Sequence, residues 1–253
     1  MQILLACAKT MHDTSAVEVP QRSTPLFEAD AHRFALELCR WPVSDLATAL
    51  QCSDAIAREN HLRYGRFADP DASIAAVMAY YGQAYKYLRA AEWTAADLLH
   101  AQRSLWICSF LYGLLRPLDT IHPYRLEGKV RLEATGDKTM FAYWRDRLTT
   151  VLIDAVRADD GVLLHLATEE MEHLFDWRRV EREVRVVQPL FYADQGHRLK
   201  AISVHAKSCR GAMARATILG RYTSPEELHG FAWQNYVFRP DLGDANHPHF
   251  ISL

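Results

Sequence analysis

This chain of 253 residues has no apolar run near the roughly 18 residues that a membrane span requires. It has no stretch rich in Gly, Ser and Pro to act as a linker, no low-complexity tract and no internal repeat. One compact domain over 1–253 is therefore expected. It has no excess of either charge: 29 Lys and Arg stand against 31 Asp and Glu, a formal net charge of -2. That excludes a globally basic nucleic-acid binder and leaves any grip on phosphate to a local patch. It has no C-x-x-C, and Cys7, Cys39, Cys52, Cys108 and Cys209 are odd in number and widely spaced. Free thiols in a reducing cytoplasm fit that pattern better than a disulfide framework. The opening MQILLACAKT lacks a basic region before its short apolar run, so it reads as a first strand rather than a signal peptide.

The chemical signatures that are missing exclude as much. No G-x-G-x-x-G follows a strand, and there is no Walker A loop, G-x-S-x-G elbow or H-E-x-x-H. His165, Glu169, Glu170 and His173 lie close together, but Glu170–His173 is a single E-x-x-H where a di-iron bundle uses two. A surface ion-pair face is the expectation there, and no metal or cofactor is assigned.

What is present is a mixture of helix and strand patterns. Ile3 to Cys7, Leu105 to Phe110 and Val162 to Ala167 read as buried strands. Phe27, Ala31, Phe34 and Leu38 mark one face of a helix. After Pro42, short helices are expected over Ser44 to Leu50 and Ser53 to Tyr64, each with a serine cap. Their tight junction is also the pattern of a helix-hairpin-helix over 43–64, although that segment has no glycine before Gly65 to let backbone approach a phosphate. A long helix is expected from Ser73 to Ala90, carrying a stripe of tyrosines, and another from Lys138 to Ala158. Thr168 reads as the cap of a helix to Phe175. Arg182 to Ala193 and Arg198 to Ala206 read as strands around a turn at Asp194-Gln195-Gly196-His197. Lys207 to Leu219 reads as a helix, Ser224-Pro225-Glu226-Glu227 starts another, and the last dozen residues read as loose. The fold class is α+β (mixed α/β), with a central mixed sheet flanked by helices.

Residues 111–132, LYGLLRPLDTIHPYRLEGKVRL, stand apart. Pro117 and Pro123 fix two corners, while Arg116, Arg125, Lys129 and Arg131 sit among leucines with Asp119 and Glu127. The segment comes after a buried strand and is expected to leave the sheet at its carboxyl edge, where ligand crevices form. A rigid loop presenting cations loses little entropy on binding an anion. The plainer alternative is that Arg116 pairs with Asp119, and Arg125 with Glu127, to stabilise a turn. A second basic stretch, Arg198 to Arg221, contains no carboxylate.

LYGLLRPLDTIHPYRLE resembles the signature of the YaaA family of peroxide-stress proteins. Further elements occur in the same order: Ala8-Lys9-Thr10, Ser53-Asp54 with Asn60, Tyr81-Gly82-x-x-Tyr85, Ala206-Lys207 with Arg210-Gly211 and Met213, and Tyr236-x-Phe238. Phe110, Gly128, Met171 and Asn235 depart from the family pattern. The resemblance implies a cytoplasmic protein of peroxide resistance that limits free iron, a single mixed α/β domain, and DNA binding with a helix-hairpin-helix-like element at 43–64. Lys9, Arg116, Asp119, Arg125, Glu127, Arg131, Lys207 and Arg210 match motif positions and form one expected site with Tyr85, Tyr112 and Tyr124. Two functions are expected of it. One is binding of distorted or single-stranded DNA, with tyrosines stacking on bases. The other is an enzyme acting on a small anionic or nucleotide-like ligand, with Asp119, Glu127 or Glu170 transferring protons.

Overall fold

The structure is a computed structural model that describes residues 1–196 and 198–252. Five strands form the first sheet: β1 (Gln2–Leu5), β2 (Leu105–Ser109), β3 (Gly113–Leu115), β4 (Val162–Leu166) and β5 (Arg185–Val187). Their spatial order is β3-β2-β1-β4-β5. β1 is central and runs parallel to both β2 and β4, and β5 continues parallel to β4. Only β3 is antiparallel, as the return arm of a hairpin with β2. Every residue of β1 and β2 is buried, as expected of parallel strands covered on both faces.

The helices that matter here are α1 (Glu28–Leu38), α2 (Val43–Ala49), α3 (Asp54–Gly65), α4 (Gln83–Leu88), α5 (Ala95–Ser104), α6 (Met140–Ala158), α7 (Trp177–Glu183) and α8 (Ser203–Gly220). α1 buries Ala31, Phe34, Ala35 and Leu38, the stripe its spacing predicts. Ser53 caps α3 through its hydroxyl, and Thr94 forms a capping box with Asp97 at the start of α5. The result is a single mixed α/β fold, and no helix among the described residues is long and apolar enough to cross a membrane.

Of a second five-stranded sheet, only one hairpin was expected from the sequence. β6 (Leu190–Asp194), β7 (Leu199–Lys200), β8 (Ala232–Trp233), β9 (Tyr236–Gly243) and β10 (Pro248–Ser252) take the order β7-β6-β10-β9-β8. The tail expected to be loose is β10, an interior strand parallel to β6 and antiparallel to β9. Phe250 and Ile251 are buried there, and partners on both sides order a segment too short to announce itself. The expected turn at 194–197 does join the antiparallel pair β6 and β7, with His197 outside the described residues. The strand expected over Arg198 to Ala206 shrinks to β7, because α8 already begins at Ser203. Likewise, α7 takes the start of the expected strand at Arg182, and the helix after Thr168 ends at Glu172.

The largest correction concerns Ser73 to Ala90. In place of one helix, Ile74–Ala75 pairs with Thr120–Ile121 and Tyr80–Tyr81 pairs with Thr10–Met11, leaving only a turn at Ala76–Ala79 and the short α4. Gly82 is extended between them, packed so closely that an added Cβ would lie 2.9 Å from Ala8 Cβ. The apolar residues do reach the core, but strand pairing, not helical packing, places them there.

α4 lies against α8 at a distance that only glycine allows. A Cβ on Gly211 would sit 1.9 Å from the Ala84 carbonyl oxygen, a backbone atom that cannot swing away. Gly211→Ala should therefore destabilise the fold by about 2–3 kcal/mol in urea unfolding, within the range of overpacked cores. Gly230→Ala meets nothing within 4 Å and should stay within about 0.5 kcal/mol of the parent. Equal stabilities would contradict the steric role assigned to Gly211.

Candidate anion-binding cavity at the carboxyl edge of the parallel strands

β1 has a parallel neighbour on each side, and the chain leaves it towards β2 first and reaches β4 later. Loops after the three strands consequently diverge, and a crevice opens beyond their carboxyl ends. A cavity of about 290 Å³ occupies it. Ala6 to Thr10 come after β1, Phe110 after β2, and Thr168, Glu170 and Met171 after β4 around its wall. α4 and the first half of α8 close one side, and Tyr124 to Leu126 close another.

The 111–132 segment reaches this cavity by an indirect route. Gly113, at φ +74°, reverses the chain immediately after β2, and β3 runs back towards the amino edge. Arg116 is delivered to that far edge. Its guanidinium lies 3.3 Å from the centre of the Trp106 ring and donates to Gln2 Oε1 at 3.1 Å, Arg103 O at 3.2 Å and Leu105 O at 3.3 Å. Burial pulls its pKa down to about 10, so it remains a cation at neutral pH. Asp119 accepts from the Arg116 amide at 2.8 Å and the Ser23 hydroxyl at 2.7 Å, and burial raises its pKa. Arg131 is exposed and donates to Asp137 O at 2.5 Å. Tyr112 is buried and accepts from the His122 amide at 3.0 Å. None of these four lines the cavity. The segment does leave the sheet at its carboxyl edge, as expected, but the glycine hairpin carries Arg116 and Asp119 back to the other edge.

The chain returns at Tyr124. The Tyr124 hydroxyl is bonded to Tyr80 at 2.9 Å and to Ser109 at 2.6 Å, and desolvation keeps both phenols neutral by raising their pKa values. Arg125 is next, with its carbonyl accepting from the Tyr64 hydroxyl of α3. Glu127 is the tie. Its Oε2 meets Lys9 Nζ at 2.8 Å and its Oε1 meets an Arg125 nitrogen at 3.2 Å, with only 10% of its side chain exposed. One carboxylate thus holds the loop after β1 to the returning segment. Arg125 Nε, also buried, has no hydrogen-bond partner, so the protein does not saturate the guanidinium.

α8 supplies the opposite cations. Lys207 and Arg210 face the cavity, and Gln83 on α4 donates to the Ser208 hydroxyl at 2.8 Å, fixing the two helices at that level. Burial lowers the pKa of Arg210. The two arginines farther along are neutralised from other elements: Arg215 meets Glu92 at 3.2 Å and Arg221 meets Asp97 at 2.6 Å. An open basic groove along α8 is therefore not formed. Tyr85 is buried with its hydroxyl donating to Ala6 O at 3.0 Å.

The structure brings together Lys9, Tyr85, Tyr124, Arg125, Lys207, Arg210 and the carboxylates of Glu127 and Glu170, with Glu170 exposed at the rim. Cys7 is an addition that its sequence context did not signal. It lines the floor, and burial, with Glu170 and Glu127 nearby, pushes its thiol up to about 12. At the 43–64 hairpin, the amides of Leu50, Gln51 and Cys52 already donate to Leu46, Thr48 and Ala47 carbonyls within α2. Among the described residues, no group of three or more His, Cys, Asp or Glu side chains is arranged to hold a metal ion. His165 instead bonds Glu172 at 3.0 Å and packs against Trp177.

A family model described as peroxide stress protein YaaA matches residues 1–242. The chain belongs to the YaaA family. It is 43% identical over 253 residues to a UPF0246 protein of Bacteroides thetaiotaomicron, covering 100% of this chain and 98% of the relative. A UPF0246 protein of Porphyromonas gingivalis is 40% identical, with 99% of each chain covered. A more distant UPF0246 protein, of Burkholderia multivorans, is 36% identical over 94% of this chain and 93% of its own length. Membership in the YaaA family connects the chain to peroxide stress.

Two outcomes separate structural from ligand-facing groups. Arg116→Ala loses three hydrogen bonds and a cation–π contact and should destabilise the protein by about 1–3 kcal/mol; parental stability in urea would refute the assigned structural role. Burial lowers the pKa of His165, as it does those of His100 and His122. The unfolded state then binds more protons than the native one below about pH 6.5, so stability falls as pH drops through that value. His165→Gln should shrink the stability lost between about pH 7 and 5; an undiminished loss contradicts this.

Proposed function

We propose that this YaaA-family protein binds a small phosphate-bearing ligand of nucleotide size in the cavity beyond β1, β2 and β4. The observation that carries the reading is the convergence of four cations, Lys9, Arg125, Lys207 and Arg210, from three separate parts of the chain onto one 290 Å³ cavity. Pockets of this order hold small organic ligands. Arginine offers the planar, bidentate donors that suit phosphate oxygens, and lysine adds point charge at the rim. Glu127, with Oε2 hydrogen-bonded to Lys9 and Oε1 in ion-pair range of Arg125 though without a hydrogen bond of its own, acts as the clamp that holds them near each other. Glu170 is the carboxylate left at the rim to exchange a proton with a bound ligand, which is the enzyme form of the reading.

Nucleic acid is the second reading. Lys9 is 60% exposed at the mouth, and Lys207 is exposed beside it, so a strand phosphate has cations to meet there. The enclosed wall and the ion-paired cations farther along α8 support the small ligand over a long groove.

Isothermal titration with adenosine 5′-monophosphate at near-physiological salt tests the reading. Arg125→Ala and Lys207→Ala should each weaken binding by about tenfold or more, the scale of one lost charge-assisted contact. Lys207 is exposed and its removal should spare the fold. Absence of binding, or parental affinity in both variants, sinks the proposal. Labelled single-stranded and bubbled DNA, competed with the same nucleotide, reports the second reading: displacement places the strand at this mouth, and lack of displacement places it elsewhere.

A further inference from the structure

The cavity is polarised along its depth. Its cations are graded, with Lys9 and Lys207 exposed at the mouth and Arg125 and Arg210 more deeply set behind them. Its floor is apolar: Leu5, Phe110, Leu126, Leu166 and Met171 each line it and each is at most 4% exposed. Beside the neutral Cys7 thiol, the hydroxyls at that depth are already committed. The Tyr85 hydroxyl donates to Ala6 O, and the Tyr124 hydroxyl is held between Ser109 and Tyr80. Nothing on the floor is left to receive a second anion. A hydrated sugar or a bare phosphate would leave the floor wet, whereas an apolar planar group would cover it.

One wall of the floor is also built to stay flat. Phe110 O accepts from Trp144 Nε1 at 2.8 Å, which fixes its backbone. Its ring meets Phe141 edge-to-face, centroids 5.5 Å apart. Phe141 in turn occupies the space over Gly128: a Cβ there would lie 2.2 Å from the Phe141 ring. Gly128 admits the Phe141 ring, the Phe141 ring backs the Phe110 ring, and Phe110 faces the cavity. Preorganised aromatic walls of this kind recognise planar rings at little entropic cost.

Resting on the anion-binding reading above, we infer that the ligand is an aromatic anion that enters ring first, its ring on the Phe110–Met171 floor and its phosphate among the mouth cations. A nucleoside monophosphate has that chemistry. Phe110 and Met171 are then specificity-determining residues, and Phe141 positions Phe110.

The test compares adenosine 5′-monophosphate with ribose 5-phosphate, which keeps the sugar and the anion but lacks the ring, by titration calorimetry. The parent protein should bind the nucleotide at least about tenfold tighter, as burial of an aromatic ring predicts. Phe110→Ala should bring the two affinities to within about threefold of each other, by weakening the nucleotide and not the sugar phosphate. Met171→Thr, a smaller change against folding failure, should lower the preference in the same direction. Ribose 5-phosphate binding as tightly as the nucleotide, or a preference unchanged in both variants, overturns the ring subsite while leaving the anion site standing. Failure of both compounds to bind overturns the two together.

Discussion

Strand β1 is hydrogen-bonded on both sides by parallel strands, and the layout of the whole carboxyl edge depends on that. A strand so placed is buried along its whole length, so its side chains are spent on packing. The chemistry must come from the loops at the strand ends: Ala8-Lys9-Thr10 after β1, Phe110 after β2, Glu170 and Met171 after β4. The connections leave in different directions, and the crevice between them exists before any particular side chain fills it. Glu127 then joins two of its walls. Its carboxylate lies between Lys9 and Arg125, which are far apart in sequence and belong to different loops. A mostly buried carboxylate between two cations is costly to leave half-paired, so the two cations are fixed relative to each other by the fold rather than by a ligand.

The third wall depends on a steric condition. α8 brings Lys207 and Arg210 over the crevice because Gly211 lets it rest directly on the backbone of α4. A side chain at Gly211 would push the helix outward and carry both cations with it. α2 and α3 contribute from behind, where the Tyr64 hydroxyl holds the Arg125 carbonyl. The helical pair over 43–64 thus has a visible task in supporting Arg125, and its hairpin amides from Leu50 to Cys52 are engaged within α2.

Much of this was legible in the sequence. The continuous apolar runs of β1, β2 and β4 marked three buried strands of a central mixed sheet, though not that they run parallel, and the ordered motifs brought Lys9, Tyr85, Tyr124, Arg125, Lys207 and Arg210 into one proposed site, all of which line one cavity. What failed was the path between motifs. Arg116 and Arg125 lie nine positions apart in one basic segment, yet Gly113 sends the first to the opposite edge of the sheet. A single left-handed glycine decides that, and no periodicity records it. The Ser73 to Ala90 stripe misled for a related reason: its apolar spacing suits a helix, but Tyr80–Tyr81 finds a partner strand at Thr10–Met11, far earlier in the chain. Long-range pairing also turned the tail into β10. Charge was misleading too, since the carboxylates that neutralise Arg215 and Arg221 come from Glu92 and Asp97, outside the basic stretch.

The most direct measurement is a crystal structure of the protein soaked with adenosine 5′-monophosphate. Phosphate density is expected within hydrogen-bonding distance of Arg125 and at least one of Lys9, Lys207 and Arg210, at the carboxyl edge of β1. Phosphate bound instead at the amino edge beside Arg116, or at the hairpin between α2 and α3 with the cavity filled only by water, would contradict it.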